Sequence, residues 1–476
     1  MKWILTLIAA SSLLATLAIA QTPSYNVTDL GTVGPTGLAY FITNNGLISG
    51  TATFSGTERS VLWYQGRRGD IGAPGLGGQN SASFSANEMG QAVGIAETST
   101  KDPNGEDFCG FKALGLPSKG TTCLPFVWQY AVTIPLPTLG GNNGEANMIN
   151  KHGTVAGFAE NTKLDSACPA PQKLQFKPVI WVNGEIQELP TSSGDREGVA
   201  EGINDNGQVV GASGTCAAFN PLTSLNLVPL HALLWETGTV TDLGNLGGTG
   251  LGGGNIAYDI NNQGHVVGQS NTRGNASVHA FLWTSRTGMQ DLGTLPGDAN
   301  SAAISINDNG DLVGASLDAK FNPRAFLRQN GTMTDLNTLI PTNSTLYLLL
   351  AYSINSSGQI VGLAVTSSGA LHAFLATPTD LSSNGTDAVV TPLSLTTNQA
   401  SLVLDGSGST STSGSLRHLY TVVAGGKQPV ILQTPSDPKA TVEFASGPGL
   451  YLVQLTVTDA RGNSSKSPVV MLNYQP

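Results

Sequence analysis

Four residues in the first half of the chain could act together chemically. Glu145 falls in one segment between repeats, and Asp195, Arg196 and Glu197 fall in the next. Two carboxyl groups at a set separation are the apparatus of glycoside hydrolysis, one giving a proton and the other serving as base or nucleophile. The same groups can hold a hydroxyl-rich ligand by hydrogen bonds without breaking it. Other reactions find no foothold. There is no Gly-x-Ser-x-Gly, no His-Glu-x-x-His and no Gly-Lys-Ser/Thr. Gly247, Gly248 and Gly252 to Gly254 lie between strands rather than between a strand and a helix, which is wrong for a nucleotide phosphate. No cofactor, no metal and no catalytic residue is expected.

The elements that would position these groups come from an internal repeat. Asn255 to Gly268, with the core Ile-Asn-x-x-Gly-x-Val-Val-Gly, recurs six more times, at 42–50, 86–94, 149–157, 203–211, 306–314 and 354–362. Successive copies lie 44 to 63 residues apart, the range of propeller blades and other repeat arrays. Asn-x-x-Gly is hairpin chemistry, because Asn and Gly accept the positive φ of a tight turn. A small residue, Ala39, Ser83, Ala146, Ala200, Ala257, Ala303 or Ala351, precedes each copy and is expected near an axis where larger side chains would collide. Two further runs complete each unit, seen best in His279-Ala-Phe-Leu-Trp283 and Gln290-Asp-Leu-Gly293. Four short strands in seven units predict a seven-bladed β-propeller over 21–381. The last copy lacks its Asp-Leu-Gly strand, and an orphan one stands at Tyr25 to Gly31, so the N-terminal strand should close the ring and remove the open edges.

The repeat columns read as structure. His231, His279 and His372 share a column that Arg324 fills in another copy. The turn residues Asp205, Asn262 and Asp308 are expected to bond their own turns. Trp63, Trp128, Trp181, Trp235 and Trp283 are expected to pack between blades. What breaks the repeat is more informative. Insertions at 98–125, 161–177 and 214–229 open on the face that also carries Glu145, Asp195, Arg196 and Glu197, and loops on rigid scaffolds carry function. All four cysteines lie in these insertions. Three pairings are open in principle, and the placement favours Cys109 with Cys123 and Cys168 with Cys216.

Residues 1–20 have a basic start, an apolar core and the small-x-small end Ala18-Ile19-Ala20, the marks of a signal peptide cleaved after Ala20. Export to the periplasm or outside suits paired cysteines. No other stretch could span a bilayer. A net charge of −10 argues against nucleic acid. A monomer is expected. After a linker at 382–388, the residues 389–476 show alternating strands of an immunoglobulin-like β-sandwich.

The repeat unit, Asn-x-x-Gly-x-Val-Val-Gly, His-Ala-Phe-Leu-Trp and Asp-Leu-Gly-Thr-Leu, resembles the HAF-type extracellular repeat of secreted bacterial proteins, over residues 25–378. That resemblance implies export and no assigned reaction. The tail resembles a PKD domain through Leu404-Asp-Gly-Ser-Gly-Ser-Thr410, Gly449-Leu-Tyr451 and Leu455-Thr-Val-Thr-Asp-Ala-Arg-Gly462. Thr421 to Gly426 replaces that family's Trp-Asp-Phe-Gly-Asp-Gly centre. PKD-like domains are accessory or adhesive modules. The sequence therefore points to an all-β, non-catalytic binding or adhesion protein whose inserted face takes an extracellular ligand such as polysaccharide. A polysaccharide hydrolase or lyase using the same carboxylates is the alternative.

Overall fold

The computed structural model describes residues 25–379 except 35–36, 65–66, 73–74, 113, 217–230 and 250–253. Beyond these it describes 386–387, 390–391, 394–411, 415–422, 427, 429–432, 437–460, 464–467 and 470–476. The expected signal peptide, most of the 214–229 insertion and linker residues 382–385 lie outside the described residues. Among the described residues no helix is long and apolar enough to cross a membrane.

The repeats form seven four-stranded antiparallel sheets, an arrangement consistent with a β-propeller. The first six span 39–70, 77–135, 140–188, 197–242, 256–291 and 300–335, each with its strands in chain order. The seventh takes three strands from 346–378, and its outer strand is Tyr25–Thr32 from the other end of the chain. That strand runs antiparallel to Leu371–Pro378, with Tyr25 opposite Pro378 and Thr32 opposite His372. The second strand of each sheet is almost wholly buried, as in Val209–Gly214 and Val266–Asn271, which explains its Val-Val-Gly composition.

Each inner hairpin turns at a glycine with φ between 75° and 84°, from Gly46 to Gly358. The second glycine column has a different cause. A Cβ on Gly50, Gly94, Gly157, Gly211, Gly268, Gly314 or Gly362 would come within 1.8 to 2.1 Å of a carbonyl oxygen on the innermost strand. The carbonyl is there because that strand bulges. Its register shifts between Ala39 and Phe41, Ser83 and Ser85, Ala146 and Met148, Ala200 and Gly202, and at the matching place in the other three sheets. One extra residue is accommodated, and its side chain is re-aimed.

The bulge corrects the expected role of the small residues. They are fully buried against the preceding sheet instead of lining an axis: Ser83 Oγ donates to the carbonyls of Gly50 and Val61 in the first sheet. Ala257 and Ala303 pack in the same way against the sheets before them. Small size is required by sheet-to-sheet approach.

Asparagine joins neighbouring sheets. In Asn87, Asn150, Asn204, Asn261, Asn307 and Asn355, Oδ1 accepts two N–H groups of its own turn, for example Gln263 and His265 on Asn261. Nδ2 donates to the backbone carbonyl of the corresponding residue in the next sheet, at 2.9 to 3.1 Å. The last link, Asn355 to the carbonyl of Thr43, spans 312 residues and joins the seventh sheet to the first. Thr43 stands where Asn would be, and the first sheet is tied to the second by Asn45 Nδ2, which donates to the carbonyl of Glu88 as Asn206 and Asn309 do to Asn262 and Ser356. A second ring surrounds the first. The backbone N–H groups of Lys151, Asp205, Asn262 and Ser356 donate to the side chains of Asp205, Asn262, Asp308 and Asn44. These turn residues therefore bond the neighbouring sheet's turn, contrary to the expectation that they serve their own.

The C-terminal region is a separate two-sheet unit. One sheet holds Ser394–Thr397, Leu416–Val422, Gly449–Asp459 and Val470–Tyr474, with Ser464–Lys466 on Gly449–Asp459. The other holds Ser401–Asp405, Val430–Leu432 and Lys439–Glu443. Leu404, Tyr420, Val442, Tyr451, Val453 and Leu455 fill its core. Thr386–Asp387, expected in the linker, pairs with Thr410–Ser411.

Replacing Asn261 by Asp keeps the turn acceptors but sets a carboxylate against the Asn307 carbonyl. The expected loss is about 3 kcal/mol in denaturant unfolding, against less than about 0.5 kcal/mol for Asn183→Asp at an exposed turn. Equal small effects would remove the asparagine ring as a source of stability.

Candidate functional site

The bulge position is where the copies differ. It is occupied by Tyr40, Phe84, Asn147, Glu201, Tyr258, Ile304 and Tyr352, all half-buried, each following the small Ala or Ser of its copy. These side chains meet across sheet boundaries. Tyr40 makes edge contacts with Phe84 at 5.2 Å and with Tyr352 at 5.4 Å between ring centres, joining the seventh, first and second sheets. Asn147 Nδ2 donates to Glu201 Oε2 at 3.2 Å, joining the third and fourth. These contacts bring bulge residues of five sheets together about a shared axis.

Glu145 belongs to this axis. It sits in the strand Gly140–Ile149, with 5 % exposure. Burial, and then the charge of Glu201, push its carboxyl well above the usual range. Burial raises Glu201 to about 7. Tyr40 is raised by burial and by Tyr352, Glu58 and Glu145, and Tyr352 is pushed up to about 12 by burial. The site is thus a set of rings, hydroxyls, one amide and two carboxyls that prefer the neutral form.

The other three predicted residues lie elsewhere. Asp195 is committed to its own sheet: Oδ2 accepts Ser213 Oγ at 2.6 Å and pairs with His231 Nδ1 at 2.8 Å. Arg196 is exposed and meets Asp165 at 3.3 Å. Glu197 opens the strand Glu197–Ile203, is fully buried, and is raised to about 8 by burial and by Asp165. Glu145 and Glu197 are therefore buried strand residues, a correction to their expected place in open linking loops. Cys168 Sγ is within 4.8 Å of the Asp165 and Glu197 ligand oxygens, but that sulfur is bonded to Cys216 and offers no thiolate.

The described parts of the inserted segments form a cap. Cys109 is bonded to Cys123, and Cys168 to Cys216 joins the third and fourth sheets' loops. Phe108, Phe111 and Leu116 are buried in one apolar cluster with Phe158, Val199 and Ile256, against which the axis residues Phe84 and Tyr258 also pack. The first insertion is pinned by polar bonds. Glu106 Oε1 accepts the N–H groups of Lys173 and Leu174, and Asp102 Oδ2 accepts Asn143 Nδ2 at 2.9 Å. Glu160 accepts Asn142, Asn143 and Gln172, yet burial and the facing Glu106 raise it to about 8. At the hairpin end a funnel of about 130 Å³ opens instead, rimmed by Glu88, Lys151, Asp205 and Asp308.

The repeat columns behave structurally. His279 pairs with Asp291, His372 with Asp29, and Arg324 with Asp298 and Asp335. Trp63, Trp181 and Trp235 donate Nε1–H to the carbonyls of Leu30, Pro137 and Pro190. Sequence reasoning missed Tyr40, Asn147, Glu201 and Tyr352. The column does not stand out in sequence, because the next position varies as widely, from Phe41 and Met148 to Gly202 and Asp259.

No family model matches the chain, and no curated protein matches its sequence. Among solved structures, the PKD domain from the KIAA 1837 protein is 28 % identical, over 20 % of this chain and 90 % of that one, with a TM-score of 0.17. A variant of the Aleuria aurantia lectin in complex with α-methyl-L-fucoside is 10 % identical, over 75 % of this chain and 96 % of that one, with a TM-score of 0.31.

Three acids, Glu160, Glu197 and Glu201, hold protons in the folded state that an unfolded acid near 4.5 has released. Between about pH 4.5 and 8 the folded chain binds more protons, so their contribution to stability falls as pH rises. The melting temperature should drop across that window, and Glu160→Gln should flatten part of the slope. A melting temperature that climbs steadily from pH 5 to 8 would contradict these assignments.

Proposed function

We propose that this is a secreted, non-catalytic binding protein that takes extracellular carbohydrate. In this reading residues 21–381 are a seven-bladed β-propeller of HAF-type units closed by the N-terminal strand, and 389–476 are a PKD-like accessory sandwich. Residues 1–20 direct export. The ligand enters the axis from the funnel, and the disulfide-braced insertions seal the opposite end. The observation that carries the reading is the bulge column. Its rings can stack on sugar faces, and its amide, hydroxyls and neutral carboxyls can meet sugar hydroxyls. Glu145 remains a ligand-binding residue. Asp195, Arg196 and Glu197 shape the cap.

The second reading is a hydrolase or lyase. The charge of Glu201 acts on Glu145, as in a catalytic pair. Such a pair divides its roles, one carboxyl neutral and the other ionised. Here burial raises both, Glu145 well above the usual range and Glu201 to about 7, so neither is a fully ionised nucleophile at neutral pH, and binding is favoured.

A polysaccharide array probed with the mature protein, with product analysis on each hit, tests this. Binding without product, weakened at least tenfold by Glu201→Gln, is expected. Release of oligosaccharides that stops in Glu145→Gln would make it an enzyme, and an array without hits would end the carbohydrate reading.

A further inference from the structure

Glu145 has an unanswered oxygen. Its Oε2 is buried and has no hydrogen-bond partner, in a residue only 5 % exposed. Buried polar atoms are nearly always satisfied, and an orphan on an inward-facing carboxyl marks a place where something else can bind. The charge that acts on it is another carboxyl, Glu201, whose Oε2 already accepts Asn147. Glu201 is near Glu145 in the fold, because Asn147, two residues on in the same strand, bonds to it, and two buried acids repel when ionised unless a cation stands between them.

The surroundings suit an organic cation. Tyr40 is close enough to feel the Glu145 charge, and it touches Phe84 and Tyr352. Aromatic rings attract ammonium groups through their negative faces, more strongly where water is excluded. The hairpin end of the sheets has the matching sign. The funnel carries Glu88, Asp205, Asp259 and Asp308 against one cation, Lys151, whose Nζ is already paired with Asp205 at 3.2 Å. A cleft lined by one sign of charge concentrates ligands of the other.

We infer that the axis between Glu145 and Glu201 is an ammonium site, and that the carbohydrate taken by this protein is an amino sugar with a free amine. This rests on the carbohydrate reading for the sugar, but not for the ammonium. The amine donates to Glu145 Oε2 and to the Glu201 carboxylate, with the Tyr40, Phe84 and Tyr352 rings beside it. Each carboxyl must shed its proton to do this. The titratable groups facing the pair are the two glutamates themselves and Tyr40, with Glu58 and Tyr352 acting on Tyr40. Binding should therefore release protons at pH 6 and be tightest near neutral pH, because the sugar amine itself loses its proton toward pH 8.

The test is calorimetric titration of the mature protein with tetramers of glucosamine, N-acetylglucosamine and glucose, and with methylammonium chloride. The glucosamine tetramer should bind at least tenfold more tightly than the other two sugars at pH 7. Proton release should show as a dependence on buffer ionisation enthalpy. Glu145→Gln and Glu201→Gln should each remove that preference, and Glu201→Gln, at a half-exposed position, keeps the test valid if Glu145→Gln fails to fold. Equal binding of the glucose tetramer would overturn the ammonium site and leave the carbohydrate reading intact. Methylammonium binding that both variants abolish, with no sugar bound, would support the site and end the carbohydrate reading. No binding of any probe would end both.

Discussion

The asparagine side chain at the head of each inner turn is what the rest of the structure depends on. One planar amide does two jobs. Its oxygen folds the turn by accepting two N–H groups, and its nitrogen reaches the next sheet's carbonyl. Turn formation and sheet-to-sheet registration are therefore one interaction, made six times with the same geometry. Aspartate would fold the turn and repel the neighbouring carbonyl. Serine would not reach. Since these amides are buried, the bonds form with little competition from water and their loss leaves polar groups stranded.

The bulge follows from that constraint. With turns fixed to their neighbours, the innermost strands converge, and an extra residue in each strand sends one side chain inward while the small residue before it lets the preceding sheet approach. The facing glycine is the counterpart, since a carbonyl occupies the space of its Cβ. Alanine, bulge and glycine are three parts of one device. Its product is a ring of side chains free to vary, because packing is handled by the residues on either side.

The opposite end is organised differently. Buried acids fasten the insertions to the sheets: Asp102, Glu106 and Glu160 accept backbone and amide donors, while Asp165 and Glu197 lie beneath the Cys168–Cys216 bond. A buried carboxyl that accepts several N–H groups stabilises a loop strongly, and repulsion among such groups makes it sensitive to pH. The protein thus has a capped end held by charge and sulfur, and an open end held by neutral amides.

Much of this was legible in the residues. Seven copies of one motif, an orphan Asp-Leu-Gly strand at the start and a missing one at the end determined the number of sheets and the partner of Tyr25–Thr32, because strand count and edge pairing follow from local periodicity. The place of the cysteines in the insertions likewise anticipated their partners. The site was not legible. Glu145 and Glu197 stand one and three residues before the small residues Ala146 and Ala200, so the repeat register separates them, but nothing in it shows that Glu201 acts on Glu145 while Glu197 lies beside a disulfide. Direction of a side chain at a bulge depends on a register shift against the partner strand, and on which neighbouring sheet it meets. Those are long-range facts, and no window of the sequence contains them.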